Sequence, residues 1–168
     1  MEEEDVKARL EKLRDTMMPT AKQMIDEGRE LTPVVFGLRA DGGIICVGTE
    51  FSTLEEKREA YRQIGKLLRE EHHCIGAVTL NEAWYVVRNK RDPDESEKDF
   101  ERRMRAEAPP SKQSDRRECV VAMCCTYGST VAVNYPFRRE GGKIVWEEKD
   151  DLGGAVEQYL FPAYEKAH

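Results

Sequence analysis

The chain has 168 residues, 39% of them apolar and 36% charged, with a formal net charge of −6. That length fits one domain with a real core. The acidic balance argues against a general nucleic-acid or anionic-membrane binder, because phosphate affinity rests on clustered Lys and Arg.

No run approaches the ~20 apolar residues needed to cross a bilayer. The start, Met1-Glu2-Glu3-Glu4-Asp5, has no apolar signal region. Five cysteines is an odd number, and Cys119, Cys124 and Cys125 share one apolar run, which suits reduced thiols better than a disulfide framework. These features predict a soluble, cytoplasmic protein with no membrane association.

Val6, Leu10, Leu13 and Met17 recur at helical spacing. Pro19 cannot continue that helix undisturbed but can open a second, striped by Ala21, Met24 and Ile25 and stopped at Gly28. The first thirty residues therefore predict a helical hairpin or one kinked helix. Pro33–Leu38 and Ile44–Val47 flank Asp41-Gly42-Gly43 and predict a β-hairpin. Ser52 with Glu55, or equally Thr53 with Glu56, makes a capping box for a helix reaching about Glu71. Its inner stripe is Ala60, Tyr61, Ile64, Leu67 and Leu68. Gly65 beside that stripe implies a close approach of helix to sheet.

Cys74–Arg88 is rich in β-branched and aromatic residues and reads as one long central strand. The pleat puts Gly76, Val78, Leu80, Glu82, Trp84 and Val86 on one side, so a carboxylate sits on an otherwise apolar face. Residues 90–117 then lose the pattern: nine bases and eight acids surround Pro93, Pro109 and Pro110. A connection this long is usually functional or disordered, and a mobile excursion is expected. Phe100 and Met104, four apart, suit a short helix within it that docks on a partner. Glu118–Tyr127 is a strand buried on both faces, followed by Thr130–Phe137 and Lys143–Trp146 in an antiparallel meander. A last helix is expected after Gly153-Gly154, carrying Val156, Tyr159, Leu160 and Tyr164. The predicted fold is α+β: a single, mainly antiparallel sheet of about six strands, covered on one face by helices, in one domain.

Cys119, Cys124 and Cys125, with His72, His73 and Cys74, are zinc-ligand types. On an extended strand, however, Cys119 and Cys125 lie roughly 20 Å apart and Cys124 faces the other way. They read as buried hydrophobes, with no metal and no cofactor. Cys74 beside two histidines lacks any catalytic-cysteine signature.

Glu82 carries the most open question. A buried carboxylate with Asn81 and Trp84 beside it suits a general base or a ligand contact. A bulge at Asn81, or an ion pair with Arg138 or Arg139, suits a structural or interface role. The glycine pairs lack phosphate-loop spacing and read as turns.

Asn81-Glu82-Ala83-Trp84, the Asp-Pro-containing charged linker and Asp115-Arg116-Arg117-Glu118 before an apolar strand together resemble a group of uncharacterised bacterial and phage proteins. The resemblance covers residues 33–137 and implies no activity. With no convergent catalytic set, the residues point to a non-enzymatic module that binds a protein partner or forms a homo-oligomer. Aromatics near the end (Trp146, Tyr159, Phe161, Tyr164) could line such an interface. The alternative is a small enzyme or ligand-binding domain centred on Glu82.

Overall fold

The computed structural model describes residues 2–85, 94–106, 117–153 and 158–162; the side chains of Trp84, Tyr85, Phe100, Met104, Arg105, Ala106 and Leu152 are outside that description. The elements in order are α1 (Glu3–Asp26), β1 (Val34–Arg39), β2 (Ile44–Gly48), α2 (Leu54–Glu70), β3 (Cys74–Tyr85), α3 (Glu97–Ala106), β4 (Arg117–Thr126), β5 (Ser129–Glu140), β6 (Lys143–Trp146) and β7 (Asp150–Gly153). The strands form one antiparallel sheet in the order β2-β1-β3-β4-β5-β6, with β7 also pairing β5. The α+β architecture is as the sequence predicts, and β3 is central. Asp150–Gly153 adds a seventh strand.

The N-terminal segment is one helix carried through Pro19, not a hairpin. Proline removes one backbone donor. The buried stripe of Val6, Leu10, Arg14, Met18, Ala21 and Ile25 runs across it unbroken, so burial holds the chain helical on both sides.

Both sheet faces are covered, where one was expected. Val78, Leu80, Val120, Ala122, Cys124, Val133, Tyr135 and Phe137 pack beneath α1. On the other face Val35, Ala77 and Cys125 meet Tyr61, Ile64 and Leu68 of α2, with Leu160 and Phe161. Central strands apolar on both sides require cover on both sides.

Of the two overlapping capping boxes, Thr53 with Glu56 forms: the Thr53 hydroxyl accepts from the Glu56 N–H at 3.1 Å, and the Glu56 carboxylate accepts from the Thr53 N–H at 3.3 Å. Gly65 does mark a close approach, but not to the sheet. A Cβ there would stand 2.7 Å from Leu160 Cα.

The segment 158–162 straps across α2. Gln158 Nε2 donates to the carbonyls of Thr126 (2.7 Å) and Ser129 (2.9 Å), and Gln158 Oε1 accepts from Phe161 N at 2.9 Å. The Leu160 carbonyl accepts from Arg69. The expected last helix is therefore corrected: Tyr159 and Leu160 are not helical. Sheet pairing takes residues 150–153, and the Gln158 hydrogen bonds fix the strap in another shape. Val156 and Tyr164 lie outside the described residues, as does half of the excursion, so its expected mobility does too. Within the excursion, α3 forms where Phe100 and Met104 predict it, and Arg103 pairs with Glu95 at 2.8 Å.

Candidate functional site

Glu82 lies on the α1 side of β3, as the pleat predicts. Its Oε1 accepts a hydrogen bond from the backbone N–H of Leu31 at 2.8 Å. Leu31 is a buried residue of the connection between α1 and β1, so the carboxylate ties that connection to the central strand. No bulge turns Glu82 outward: Asn81 pairs with Val121 and Glu82 with Val120 in unbroken register. Neither arginine pairs with it. Arg139 binds Glu118 with two hydrogen bonds, at 2.8 and 3.3 Å, and Arg138 meets Glu140 and Glu147. The bond to Glu118 is the chief cause that holds the Arg139 guanidinium above its usual value, and Glu82 adds to it. The hollow at Glu82, lined by Ala83, Glu118, Cys119 and Phe137, is about 100 Å³. Small-molecule sites usually occupy about 300 Å³ or more.

Asn81 points to the opposite face. It is buried, and its Nδ2 donates to the Glu82 carbonyl at 3.2 Å. Asn81, Val121 and Asn134 form one row across β3, β4 and β5. Asn134 Oδ1 and Thr79 Oγ1 on that face are buried without a hydrogen-bond partner among the described residues. Asn81 and Glu82 are thus not brought together. For Trp84, Phe100 and Met104 the structure describes backbone only: Trp84 pairs with Glu118, and Phe100 and Met104 lie in α3.

Burial pushes the Cys119 and Cys125 thiols up to about 12 and Cys124 to about 11; Cys74 is also raised, chiefly by burial. Such thiols are poor nucleophiles and poor metal ligands at neutral pH. Among the described residues no three His, Cys, Asp or Glu side chains converge as a ligand set.

The strand Ile44–Val47 was expected, but its place at the edge of the sheet is the feature that sequence reading missed. β2 is an end strand of the sheet, and its residues Ile44, Cys46 and Gly48 are exposed. Arg39 N donates to the Gly43 carbonyl at 2.9 Å and Thr49 N to the Pro33 carbonyl at 3.0 Å. With alternating antiparallel pairing, Ile45 and Val47 then bond to β1, while Ile44, Cys46 and Gly48 aim their N–H and C=O outward. No charge or proline lies in Ile44–Gly48. Natural edges usually carry such residues to prevent pairing with another chain.

Beside this edge, on the α1 side, lies an open groove of about 470 Å³ with Leu13, Leu38 and Ile44 in its lining and Arg9 and Lys12 at its rim. Ile44-Ile45-Cys46-Val47-Gly48 is legible as an uncharged strand. That it is terminal follows only from β3 pairing with β1, which the sequence does not state.

No protein-family model, curated protein or solved structure matches the chain. The class is set by the fold alone: a mainly antiparallel α+β domain in which, among the described residues, no strand pairs the outer side of β2.

Proposed function

We propose that this chain is a non-enzymatic interaction module that works by strand addition to β2. The observation that carries the reading is the outward-facing backbone of Ile44, Cys46 and Gly48 on an uncharged, exposed edge. A strand docking there gains main-chain hydrogen bonds, and alternate side chains reach the groove beside α1. The smallness of the hollow at Glu82 and the structural bond from Leu31 support this reading over chemistry at Glu82.

The test is selection from a random peptide display library on the wild-type protein, with Cys46→Lys as counter-target. Enriched peptides should alternate β-branched residues and bind wild type but not the variant. With dilute, monomeric protein as the target, no enriched binder, or binders indifferent to the substitution, overturns the proposal.

A second reading, a ligand-binding domain, is favoured by one observation: Thr79 and Asn134 are buried without partners among the described residues, in line with Asn81. Buried polar atoms normally have partners. Native mass spectrometry that finds the bare chain mass alone would count against a resident small molecule.

A further inference from the structure

Gly48 is unexplained by its own chain. A Cβ built there meets nothing within 4 Å, and its backbone is not in the left-handed region. Neither crowding nor conformation requires glycine in this strand, where it weakens pairing propensity. Two residues away, and four from Gly48, Cys46 and Ile44 stand exposed on the same face.

We propose that β2 pairs antiparallel with β2 of a second copy about a two-fold axis at Cys46. This rests on the strand-addition reading and names its occupant. The outward groups select the register. Cys46 faces Cys46 of the mate as a hydrogen-bonded pair, and Ile44 faces Gly48 on either side, giving about six backbone hydrogen bonds between the copies. Each exposed Ile44 then lies over the position where the mate has no side chain, so knob meets hole twice by symmetry.

On the α2 face, Ile45 meets Val47 of the mate, a β-branched cross-strand pair. Exposed Glu50 comes opposite Gly42 of the mate, beside a groove whose lining carries Arg9 and Lys12 together with Asp41. A shift of two residues one way would place Ile44 against Cys46 and Gly48 against Gly42; a shift the other way would place only Cys46 over Gly48 and set Ile44 against Glu50.

Cys46 reports the pairing directly. It is the one exposed thiol among five, the other four being buried. Directly opposed residues of a hydrogen-bonded pair have Cα atoms about 5.5 Å apart. Their Cβ atoms are also near that distance, wider than the ~3.8 Å a relaxed disulfide wants. A short bifunctional maleimide is therefore the right probe.

The experiment is sedimentation velocity across a concentration series, with maleimide cross-linking, on wild type, Gly48→Val and Cys46→Ser. Wild type is expected to show a monomer–dimer equilibrium and a dimer cross-linked through Cys46. Gly48→Val should weaken association more than about tenfold and lose the cross-link, while its melting temperature holds or rises. Cys46→Ser should dimerise yet not cross-link. A dimer that survives Gly48→Val overturns the register. A wild type that is monomeric throughout overturns self-pairing; display-selected strands that still require an unblocked β2 would then keep strand addition standing, and their absence would remove both.

Discussion

The sheet has two edges, and they are built in opposite ways. The outer side of β5 is shared by β6, which pairs with Phe137–Glu140, and β7, which pairs with Ala132–Asn134. Both are four-residue strands, and Lys143, Asp150 and Asp151 lie in them. Trp146 locks β6 in place. Its ring packs on Phe137 at 4.9 Å, its Nε1 donates to Asp26 of α1 at 2.9 Å, and the Lys22 ammonium lies 5.1 Å from its centre. Short, charged and tied to a helix, that edge resists another chain. β2, one residue longer, packs Ile45 and Val47 toward α2 but carries no charge in Ile44–Gly48. One edge is finished within the chain; the other presents outward backbone at Ile44, Cys46 and Gly48, which the strand-addition proposal fills with a partner.

The largest expected effect comes from opening the finished edge. Trp146→Ala removes the Phe137 contact and the Asp26 bond together. It should cost about 2 kcal/mol, since the ring is half-buried rather than fully so, and lower the melting point by about 4–8 °C. Calorimetry checks this, and an unchanged melting point would mean β6 is not held by its tryptophan.

Next is the open edge. Gly48→Val should separate the two quantities, weakening association while stabilising the monomer by up to about 1 kcal/mol. Urea denaturation of dilute protein measures the second effect.

A pH effect follows from the buried thiols. Cys119, Cys124 and Cys125 stay protonated in the fold to about 11–12, whereas unfolded thiols ionise near 9. The unfolded state thus holds fewer protons above pH 9, so the stability these thiols contribute is full below that point and is lost as pH rises toward 11–12. Stability measured from pH 7 to 10 should be flat, then fall. In the same proteins at neutral pH, a thiol reagent should modify Cys46 alone until denaturant is added.

The smallest effect is at the rim of the finished edge. Glu147 meets Arg117 at 2.8 Å and Arg138 at 3.7 Å, both on half-exposed arginine side chains. Glu147→Gln should cost under about 1 kcal/mol.

Local signals carried most of the fold. The Thr53–Glu56 box, the two-residue period of β3 and the paired glycines before β6 each act over a few residues, and each element formed where its pattern said. Long-range causes were not legible. Pro19 left a hairpin and a single helix both open, and burial against the sheet, which overrides a missing hydrogen bond, decides for the single helix. Tyr159 and Leu160 matched a helical spacing, yet the Gln158 side chain and the crowding at Gly65 place them in a strap. The pleat put Glu82 on the side of Val78 and Leu80, which α1 covers, but its partner is a backbone N–H fifty-one residues away. Sequence periodicity cannot name such a partner. β2 shows the same limit from the other side: an ordinary apolar strand became a candidate interface through its place in the strand order.

The most direct test of the central claim is residue-resolved amide hydrogen exchange in β2 as a function of protein concentration. The account predicts alternation in dilute protein: Ile45 and Val47 protected by β1, with Ile44, Cys46 and Gly48 exchanging rapidly. Raising the concentration should protect the latter three and leave the first two unchanged. Protection of all five at every dilution, or rapid exchange of Ile44, Cys46 and Gly48 at every concentration, would contradict an edge held open for a second copy.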